Sequence, residues 1–241
     1  MKELINIKYW IFDLDNTLYS GDTKVFDQVD KKMSKYISNK LNVSVEEAKK
    51  IQKNYFHEYN TTLNGMIKNH EIDAQEFLDF VHDIDLDFLK NDKALEKELG
   101  RITDKKIIFT NGSRAHAENV TKRIGINKLF HGIFDIVDSD FVPKPAIESY
   151  KRLIDKYKIE PQYCILVEDI ARNLKPAHEL GMKTVWIKNK EPWAAEFSNE
   201  SFINYRVENL TKFLKEINNL EKIEKSINEA FSNKDKISKS D

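Results

Sequence analysis

Hydrophobic and polar residues alternate along the chain in two different rhythms, and the first of these belongs to residues 22–99. Apolar residues recur there every three or four positions, which is the spacing of an amphipathic helix. One such face consists of Val25, Val29, Met33, Tyr36 and Ile37. The stretch contains no proline and a single glycine, Gly65. Because proline and glycine most often interrupt regular structure, the pattern predicts a small all-helical unit over residues 22 to about 90.

Two short motifs indicate where helices of this unit begin. Ser44 precedes Glu47 by three positions, and Asp73 precedes Glu76 by the same spacing. This is the spacing of a capping box, in which the first side chain accepts a hydrogen bond from a free N–H of the first helical turn. We therefore expect helices to begin after Ser44 and after Asp73.

The remainder of the chain follows the second rhythm. Short runs rich in β-branched or aromatic residues predict strands at 8–12, 106–109, 133–137, 163–167 and 183–187. Helical patterns lie between them at 115–124, 147–157 and 171–180. Gly125 and Gly181 stand where helix C-caps are expected. Strands that alternate with such helices form a parallel sheet. The predicted fold class is therefore α/β, with a Rossmann-like parallel sheet as the core and an all-helical domain inserted after the first strand.

These patterns divide the chain into four parts. We predict that residues 1–20 and 100–206 form the α/β core and that residues 21–99 form the helical insertion. Residues 207–231 form an amphipathic helix, which either packs on the edge of the core or provides a dimer surface, so the chain is expected to be a monomer or a homodimer. The polar residues 232–241 are expected to be a disordered tail.

Composition and charge limit the classes of partner. The 241 residues include 39 Lys and Arg against 40 Asp and Glu, a net charge of −1, which argues against a protein that binds nucleic-acid polymers. The apolar run at 9–12 is too short for a signal peptide or a membrane span, so we expect a cytoplasmic protein with no membrane partner. A single cysteine, Cys164, excludes an internal disulfide, and its place in a predicted strand indicates a small buried apolar residue.

Side chains that can take part in catalysis or bind ligands follow four of the predicted strands. They are Asp13 and Asp15, then Thr110, Asn111, Gly112 and Ser113, then Lys144 between two prolines, then Glu168 and Asp169 with Asn173 four residues later. Ligands of an open parallel sheet bind beyond the carboxyl ends of its strands. Taken singly, each of these motifs is common in turns, surface loops or helix starts. Taken together on one edge, carboxylates, a hydroxyl and a lysine suit phosphoryl transfer with Mg²⁺.

The four motifs, in this order, resemble those of the haloacid dehalogenase-like (HAD) hydrolase superfamily. The first is Asp13-Leu14-Asp15-Asn16-Thr17-Leu18-Tyr19, the second Thr110-Asn111-Gly112, the third Lys144 and the fourth Glu168-Asp169. The resemblance covers nearly all of residues 8–190. It implies that Asp13 is the nucleophile, that Asp15 is the general acid and base, and that Thr110 and Lys144 hold the phosphoryl group. Asn111 is a further candidate for substrate binding.

The same resemblance implies a metal site and a cap. Mg²⁺ would bind Asp13, the main-chain carbonyl of Asp15 and Asp169, with Glu168 in or near the coordination shell. For Asp15 to carry a proton at neutral pH, its pKa would have to be raised. The helical insertion corresponds to the cap domain that closes over substrate in this superfamily.

Within the superfamily the chain resembles the pyrimidine 5′-nucleotidase branch. The resemblance rests on residues 12–19, with Asn16 in place of the commoner glycine, on 109–117 and 142–145, and on Tyr59-Asn60-Thr61-Thr62-Leu63-Asn64-Gly65 in the cap. Asn60 departs from an expected glycine, although asparagine tolerates left-handed backbone geometry. The resemblance to this branch implies hydrolysis of nucleoside 5′-monophosphates, UMP or CMP. It also implies that a cap loop near Gly65 recognises the substrate. The candidate substrate-binding residues there are Tyr59, Thr62, Asn64 and His70. The competing interpretation is that Tyr59 is a core aromatic residue and His70 a solvated one.

Other interpretations remain open at this point. A HAD phosphatase or phosphomutase acting on a sugar phosphate would share the four motifs. A phosphonatase would need a cap lysine, for which Lys53 and Lys68 exist but are expected to face solvent. A receiver-type regulatory protein uses a similar acidic cluster, but it would be about half this length and would not need Asp15. His116, on the helix after the second strand, is expected to be structural rather than catalytic.

Overall fold

The computed structural model describes residue 4 and residues 6–237, and the side chains of these residues as far as 224. Six strands of the described chain form one parallel sheet in the order β3-β2-β1-β4-β5-β6. They are β1 (Tyr9–Phe12), β2 (Lys105–Phe109), β3 (Gly132–Phe134), β4 (Cys164–Glu168), β5 (Lys183–Ile187) and β6 (Tyr205–Val207). The predicted α/β fold with a Rossmann-like parallel sheet is confirmed.

Ten α-helices accompany these strands in the described residues. They are α1 (Val25–Leu41), α2 (Val45–Tyr59), α3 (Thr62–His70), α4 (Ala74–His82), α5 (Lys93–Arg101), α6 (Arg114–Ile124), α7 (Ile147–Tyr157), α8 (Leu174–Glu179), α9 (Pro192–Ala195) and α10 (Leu210–Ile237). Apolar clusters cover both faces of the sheet, and β1 at its centre has Trp10, Ile11 and Phe12 fully buried. Strands buried on both faces read as continuous apolar runs, which is why the strands could be recognised in the sequence.

Helices α1–α4 follow β1 and pack around a further apolar cluster, to which Ile136 of the core also belongs. Its members include Val29, Tyr36, Met66, Phe77 and Val81. Helix α5 packs differently, because Leu95 and Leu99 join the cluster on the sheet and the helix contacts α10. The boundary of the helical insertion at residue 99 stays a prediction, and α5, which lies inside it, packs on the core.

The predicted helix starts are confirmed by their hydrogen bonds. The Ser44 hydroxyl accepts a hydrogen bond from the Glu47 N–H at the start of α2. The Asp73 carboxylate accepts from two backbone N–H groups at the start of α4, one of them that of Glu76. Asn60 ends α2 with a φ of 67°, so asparagine supplies the left-handed turn for which a glycine was expected.

The segment around Gly65 differs from the prediction. The sequence indicated a loop, whereas residues 62–70 form helix α3. A Cβ atom on Gly65 would lie 2.4 Å from the Tyr55 side chain of α2, which is closer than van der Waals contact allows. Gly65 therefore permits two helices to approach closely, and the absence of its side chain serves packing rather than a turn.

Smaller differences occur in the second half of the core. Strand β3 ends at Phe134 rather than near 137, because the Asp135 carboxylate accepts hydrogen bonds from the N–H groups of Asp138 and Arg114 and fixes a turn. Strand β6, an edge strand, was not predicted. Cys164 is buried in β4, as expected.

Helix α10 begins at Leu210 and continues to Ile237, past the predicted end at 231. The predicted tail thus overlaps this helix at 232–237, and residues 238–241 lie outside the described residues. Leu214 and Ile217 of α10 are buried against the core, which supports the edge-packing interpretation for the first half of the helix. No helix in the described part of the chain combines the length and the hydropathy that a membrane span requires.

The close contact at Gly65 predicts a measurable stability difference. Gly65→Ala should destabilise the protein by about 1–3 kcal/mol, because the added methyl group forces α2 and α3 apart. Gly100→Ala is the matched control, since nothing lies within 4 Å of the added Cβ and alanine is favoured in a helix by about 0.5–1 kcal/mol. Urea unfolding of the two variants would measure both effects. Equal stability of the two variants would contradict this account of the α2–α3 contact.

Candidate active site

The carboxyl ends of the central strands bring the predicted motifs together. Asp13 follows β1 directly, and its N–H donates to the Val167 carbonyl of β4. Thr110 follows β2, and its N–H donates to the Phe134 carbonyl of β3. Glu168 ends β4 and Asp169 follows it. The sheet hydrogen bonds thus continue into the motifs, so that the site is built on the rigid edge of the sheet.

Lys144 links these motifs by three hydrogen bonds. Its ammonium group donates to Asp13 Oδ1 at 2.7 Å, to Glu168 Oε2 at 2.6 Å and to the Phe109 carbonyl at 2.9 Å. An ammonium group has three donors, so all of them are used. The Lys144 side chain is 1% exposed, and the ion pairs are therefore shielded from water.

Asn111 holds the backbone of Lys144 in place. Its side-chain oxygen accepts from the Lys144 N–H at 2.9 Å, and its amide nitrogen donates to the Lys144 carbonyl at 3.3 Å. Both ends of the amide are thus bound to the loop that carries the lysine. This arrangement gives Asn111 a positioning role, and its predicted role in substrate binding stays a prediction.

Burial and mutual repulsion dominate the electrostatics of the acidic groups. Burial, together with the charge of Glu168, raises the pKa of Asp13 to about 7, although Lys144 acts in the opposite direction. Burial and the charges of Glu168 and Asp13 likewise raise the pKa of Asp169. Burial disfavours the charge on Lys144, but Asp13 and Glu168 outweigh it and raise the pKa of the lysine. One buried cation therefore faces three carboxylates.

A divalent cation would relieve this imbalance. Carboxylate oxygens of Asp13, Glu168 and Asp169 all lie within 4.8 Å of one another. Carboxylate oxygens are the ligands that Mg²⁺ prefers, with water and phosphate oxygens completing the shell. Asp13 and Asp169 line the adjoining cleft. Glu168 is fully buried and already accepts hydrogen bonds from Lys144 and from the Ile170 N–H. The donor set fits Mg²⁺, with Asp13 and Asp169 the more accessible ligands.

Asp15 is held by residues that sequence reasoning did not assign to the site. Its Oδ1 atom accepts from the Tyr19 hydroxyl at 2.5 Å and lies 2.8 Å from His116 Nε2. Although burial opposes the shift, the charge and hydrogen bond of His116 and the hydrogen bond of Tyr19 lower the pKa of Asp15 to about 2. The expectation of a raised pKa for Asp15 is therefore wrong for this state of the protein. His116 does lie on α6, as predicted, but it contacts the site.

A second histidine connects Asp15 to the cap. His82, the last residue of α4, stacks on His116 with ring centroids 4.4 Å apart and an interplanar angle of 15°. The Nδ1 atom of His82 lies 3.0 Å from the Ser113 hydroxyl, which also caps the start of α6. The pKa of His82 is lowered to about 3 by burial and by His116, so its ring is neutral at physiological pH.

Thr110 lies at the inner end of the cleft. Its hydroxyl oxygen accepts from the Gly112 N–H at 2.9 Å, and its side chain is buried beside Asp13 and Lys144 on the cleft wall. A Cβ atom on Gly112 would approach this hydroxyl at 3.3 Å. The hydrogen bond from the Gly112 N–H therefore fixes the position of the Thr110 hydroxyl oxygen.

A cleft of about 710 Å³ separates the cap helices from the sheet edge. Of the four cap residues proposed from the sequence, only Thr62 is among the described residues that line it. Asn64 instead donates to the Tyr59 carbonyl, Tyr59 packs edge-on against Tyr55, and His70 hydrogen-bonds to the Tyr55 hydroxyl. These three residues stabilise the packing of α2 with α3, because the segment is helical rather than a loop.

Three further residues line the cleft and were missed. They are Phe56 of α2, Trp193 of α9 and Arg172, which follows the acidic pair of β4. Phe56 and Trp193 contact each other across the cleft with ring centroids 5.2 Å apart. Lys53 also lines the cleft, whereas Lys68 lies over the Tyr59 ring. Their roles depend on contacts between distant segments, which periodicity cannot reveal.

The parallel sheet, the helical cap and the acidic edge define this protein as a capped α/β hydrolase. Residues 7–181 match the family model of the haloacid dehalogenase-like hydrolases. The chain belongs to this family. The resemblance that the four motifs carried is thereby confirmed.

Individual relatives carry phosphate-related names. The chain is 34% identical over 154 residues to Phosphate metabolism protein 8 of Saccharomyces cerevisiae, a match that covers 57% of this chain and 48% of the relative. The chain thus spans about half the length of that relative. It is 26% identical over 240 residues to Glyceraldehyde 3-phosphate phosphatase of Methanocaldococcus jannaschii, which covers 90% of this chain and 99% of the relative. A HAD phosphatase structure from Thermococcus onnurineus matches with a TM-score of 0.59 at 17% identity, covering 88% of this chain and 98% of that one, and shows the shared fold.

The raised pKa of Asp13 predicts a pH-dependent effect of its removal. In metal-free protein, Asp13→Asn should become more stable relative to the wild type as the pH rises from about 4 to 7. Folded Asp13 titrates near 7 against 3.8 in the unfolded chain, so the wild type loses stability over this interval at up to about 1.4 kcal/mol per pH unit. The lowered pKa of His82 has the opposite effect on the pH dependence of stability. Because His82 is present in both proteins, its contribution cancels when Asp13→Asn is compared with the wild type.

Urea unfolding in the presence of a chelator, at pH 5, 6 and 7, would measure this difference. Asp155→Asn is the matched control, because it removes an exposed carboxylate outside the site and should give a constant difference. A stability gap between Asp13→Asn and the wild type that stays constant or narrows with rising pH would contradict the electrostatic account.

Proposed function

We propose that this chain is a Mg²⁺-dependent phosphatase that hydrolyses nucleoside 5′-monophosphates, with the pyrimidine nucleotides UMP and CMP as its preferred substrates. The observation that carries the proposal is the Asp13 carboxylate, held 2.7 Å from the ammonium group of Lys144 at the inner end of the cleft. A buried carboxylate at a rigid sheet edge, beside a lysine and a hydroxyl, is suited to attack phosphorus.

Asp13 is proposed as the nucleophile. A carboxylate oxygen of Asp13 forms a bond to phosphorus while the bond from phosphorus to the 5′ oxygen breaks, and an aspartyl-phosphate results. Lys144 and Thr110 stabilise the charge that spreads over the remaining phosphoryl oxygens. Mg²⁺ bound by Asp13, the Asp15 carbonyl and Asp169, with Glu168 adjacent, would offset negative charge and keep Asp13 ionised.

Asp15 is proposed to move protons in both steps. It gives a proton to the departing 5′ oxygen, and it then takes a proton from the water that attacks the aspartyl-phosphate, which releases inorganic phosphate and restores Asp13. The low pKa of Asp15 keeps this carboxylate ionised at neutral pH, which is the form that the second step requires. A phosphate dianion beside Asp15 raises its pKa through like-charge repulsion, which favours the protonated form that the first step requires.

Two features support a nucleotide as the substrate. The cleft of about 710 Å³ lies within the range of cavities that hold drug-sized ligands, so a nucleoside monophosphate is compatible with it. Phe56 and Trp193 expose aromatic rings in it, and aromatic rings bind nucleobases by stacking. Thr62 is the remaining candidate among the cap residues inferred from the sequence. Tyr59 and Asn64 do not line the cleft and are not part of the proposed substrate site.

A second candidate is a phosphatase of small sugar phosphates. It is favoured by the relative named Glyceraldehyde 3-phosphate phosphatase, which matches nearly its whole length to this chain. Both candidates use the same acidic edge, so they differ only in the group that occupies the outer cleft.

A substrate panel would separate the candidates. We expect Mg²⁺-dependent phosphate release that is at least about tenfold faster in kcat/KM for UMP or CMP than for ribose 5-phosphate or glyceraldehyde 3-phosphate. Chelation or Asp13→Asn should reduce turnover by at least about 1000-fold, because the covalent step is lost. Asp155→Asn is the control. Preference for a sugar phosphate would support the second candidate, and activity retained in correctly folded Asp13→Asn would contradict the aspartyl-phosphate.

The contact between His116 and Asp15 predicts a shift in pH dependence. His116→Ala removes the charge and hydrogen bond that lower the pKa of Asp15, so the acidic limb of the kcat profile should move to higher pH. His116→Gln retains an N–H donor and should move it less. His178→Gln, an exposed histidine on α8, is the matched control. Profiles that coincide for His116→Ala and the wild type would show that His116 does not influence Asp15.

A further inference from the structure

Arg172 is a cation inside the cleft whose hydrogen-bonding capacity is not used by the protein. It lies three residues after Asp169 in the segment that joins β4 to α8, and it lines the cleft. Its guanidinium group makes no hydrogen bond or ion pair with the described residues, and its Nε atom is buried without a partner. A buried donor without a partner costs about 1–3 kcal/mol, so such a group in a cleft is expected to meet a ligand.

One aromatic side chain of the cap lies against the guanidinium group of Arg172. Its guanidinium carbon lies 4.8 Å from the centroid of the Phe56 ring, which belongs to the cap. Phe56 in turn contacts Trp193 of the core edge-to-face, at an interplanar angle of 81°. A guanidinium group that stacks on an aromatic face keeps its N–H donors in its own plane, free to bind a ligand at its edge.

The surrounding charges indicate what kind of ligand fits. Burial lowers the pKa of Arg172, while the negative charges of Glu196 and Glu168 act in the opposite direction. These carboxylates partly compensate the arginine through space without hydrogen-bonding to it. An anionic ligand group at Arg172, in addition to the phosphate, would be repelled by these two carboxylates. A neutral acceptor such as a ring carbonyl would not be repelled. The adjacent aromatic rings favour a planar group.

Arg172 lies within the reach of a nucleotide whose phosphate is bound at the acidic edge. Its Cα atom lies at most about 11 Å from that of Asp169, the limit set by three residues of extended chain. A base separated from the phosphate by one sugar spans a comparable distance. Asp169 and Arg172 line the same cleft, so one nucleotide can place its phosphate at the acidic edge and its base at Arg172.

We propose that Arg172, Phe56 and Trp193 form the nucleobase subsite, in which Arg172 donates hydrogen bonds to a ring carbonyl of a pyrimidine and the aromatic rings contact its face. The inference rests on the proposed function, because it assigns the outer cleft to the base of a nucleoside monophosphate. It makes Arg172 a specificity-determining residue, one that distinguishes UMP or CMP from phosphates that carry no base.

Binding and turnover of two matched ligands test the subsite. UMP and ribose 5-phosphate share the sugar and the phosphate and differ in the base. Binding would be measured by calorimetry with Mg²⁺ in the Asp13→Asn background, which prevents turnover, and kcat/KM in the otherwise wild-type enzyme. Arg172→Met should reduce the affinity and kcat/KM for UMP by about 10- to 100-fold. The same quantities for ribose 5-phosphate should fall by less than about threefold. Arg172→Lys keeps the charge but loses the planar set of donors and should recover only part of the loss.

Lys175→Met is the control, since Lys175 is exposed on α8 and does not line the cleft. Equal losses for both ligands, unchanged UMP binding in Arg172→Met, or no measurable binding of UMP to the parent protein would each overturn the subsite. Binding of UMP that depends on Arg172, in an enzyme that hydrolyses sugar phosphates but not UMP, would support the subsite and contradict the proposed function.

Discussion

The buried ion pairs of Lys144 are the constraint on which the rest of the structure depends. Removing an ammonium group and two carboxylates from water costs several kcal/mol per ion, which close pairing and complete hydrogen bonding must offset. Lys144 meets this requirement because Asp13, Glu168 and the Phe109 carbonyl accept all three of its donors. Strands β1, β2 and β4 must therefore end at the same level, and the sheet register and the ion pairs determine each other.

The cap completes the site through contacts that the sheet cannot provide. His82 reaches from α4 onto His116, which hydrogen-bonds to Asp15, so a cap residue lies one side chain away from the proposed acid and base. Phe56 reaches from α2 onto Arg172 and Trp193. The proposed proton transfer and the proposed recognition of the leaving group thus both depend on where the cap lies, whereas the contacts of Lys144 lie within the core.

The structure brings together at the sheet edge the core residues that the sequence singled out, because these residues follow strands that are easy to recognise. Asp13, Thr110 and Glu168 are fixed at the sheet edge by hydrogen bonds that continue from the strands, so local pattern was sufficient. The cap residues were predicted poorly. From the local sequence, Gly65 predicts a turn. In the structure Gly65 lies within helix α3, where it packs against Tyr55. Arg172 and His116 could not be assigned either, because their partners Phe56 and Asp15 lie about 100 residues away in the chain.

Two aspartates that are two residues apart have opposite pKa shifts, and this opposition links charge to catalysis. Burial raises the pKa of Asp13 to about 7, and the influence of His116 brings that of Asp15 to about 2 despite its burial. The proposed first step requires the reverse, an ionised Asp13 and a protonated Asp15. A cation beside Asp13 and a phosphate dianion beside Asp15 would shift both groups in the required direction. Binding of both ligands therefore shifts Asp13 and Asp15 toward the protonation states that the proposed first step requires.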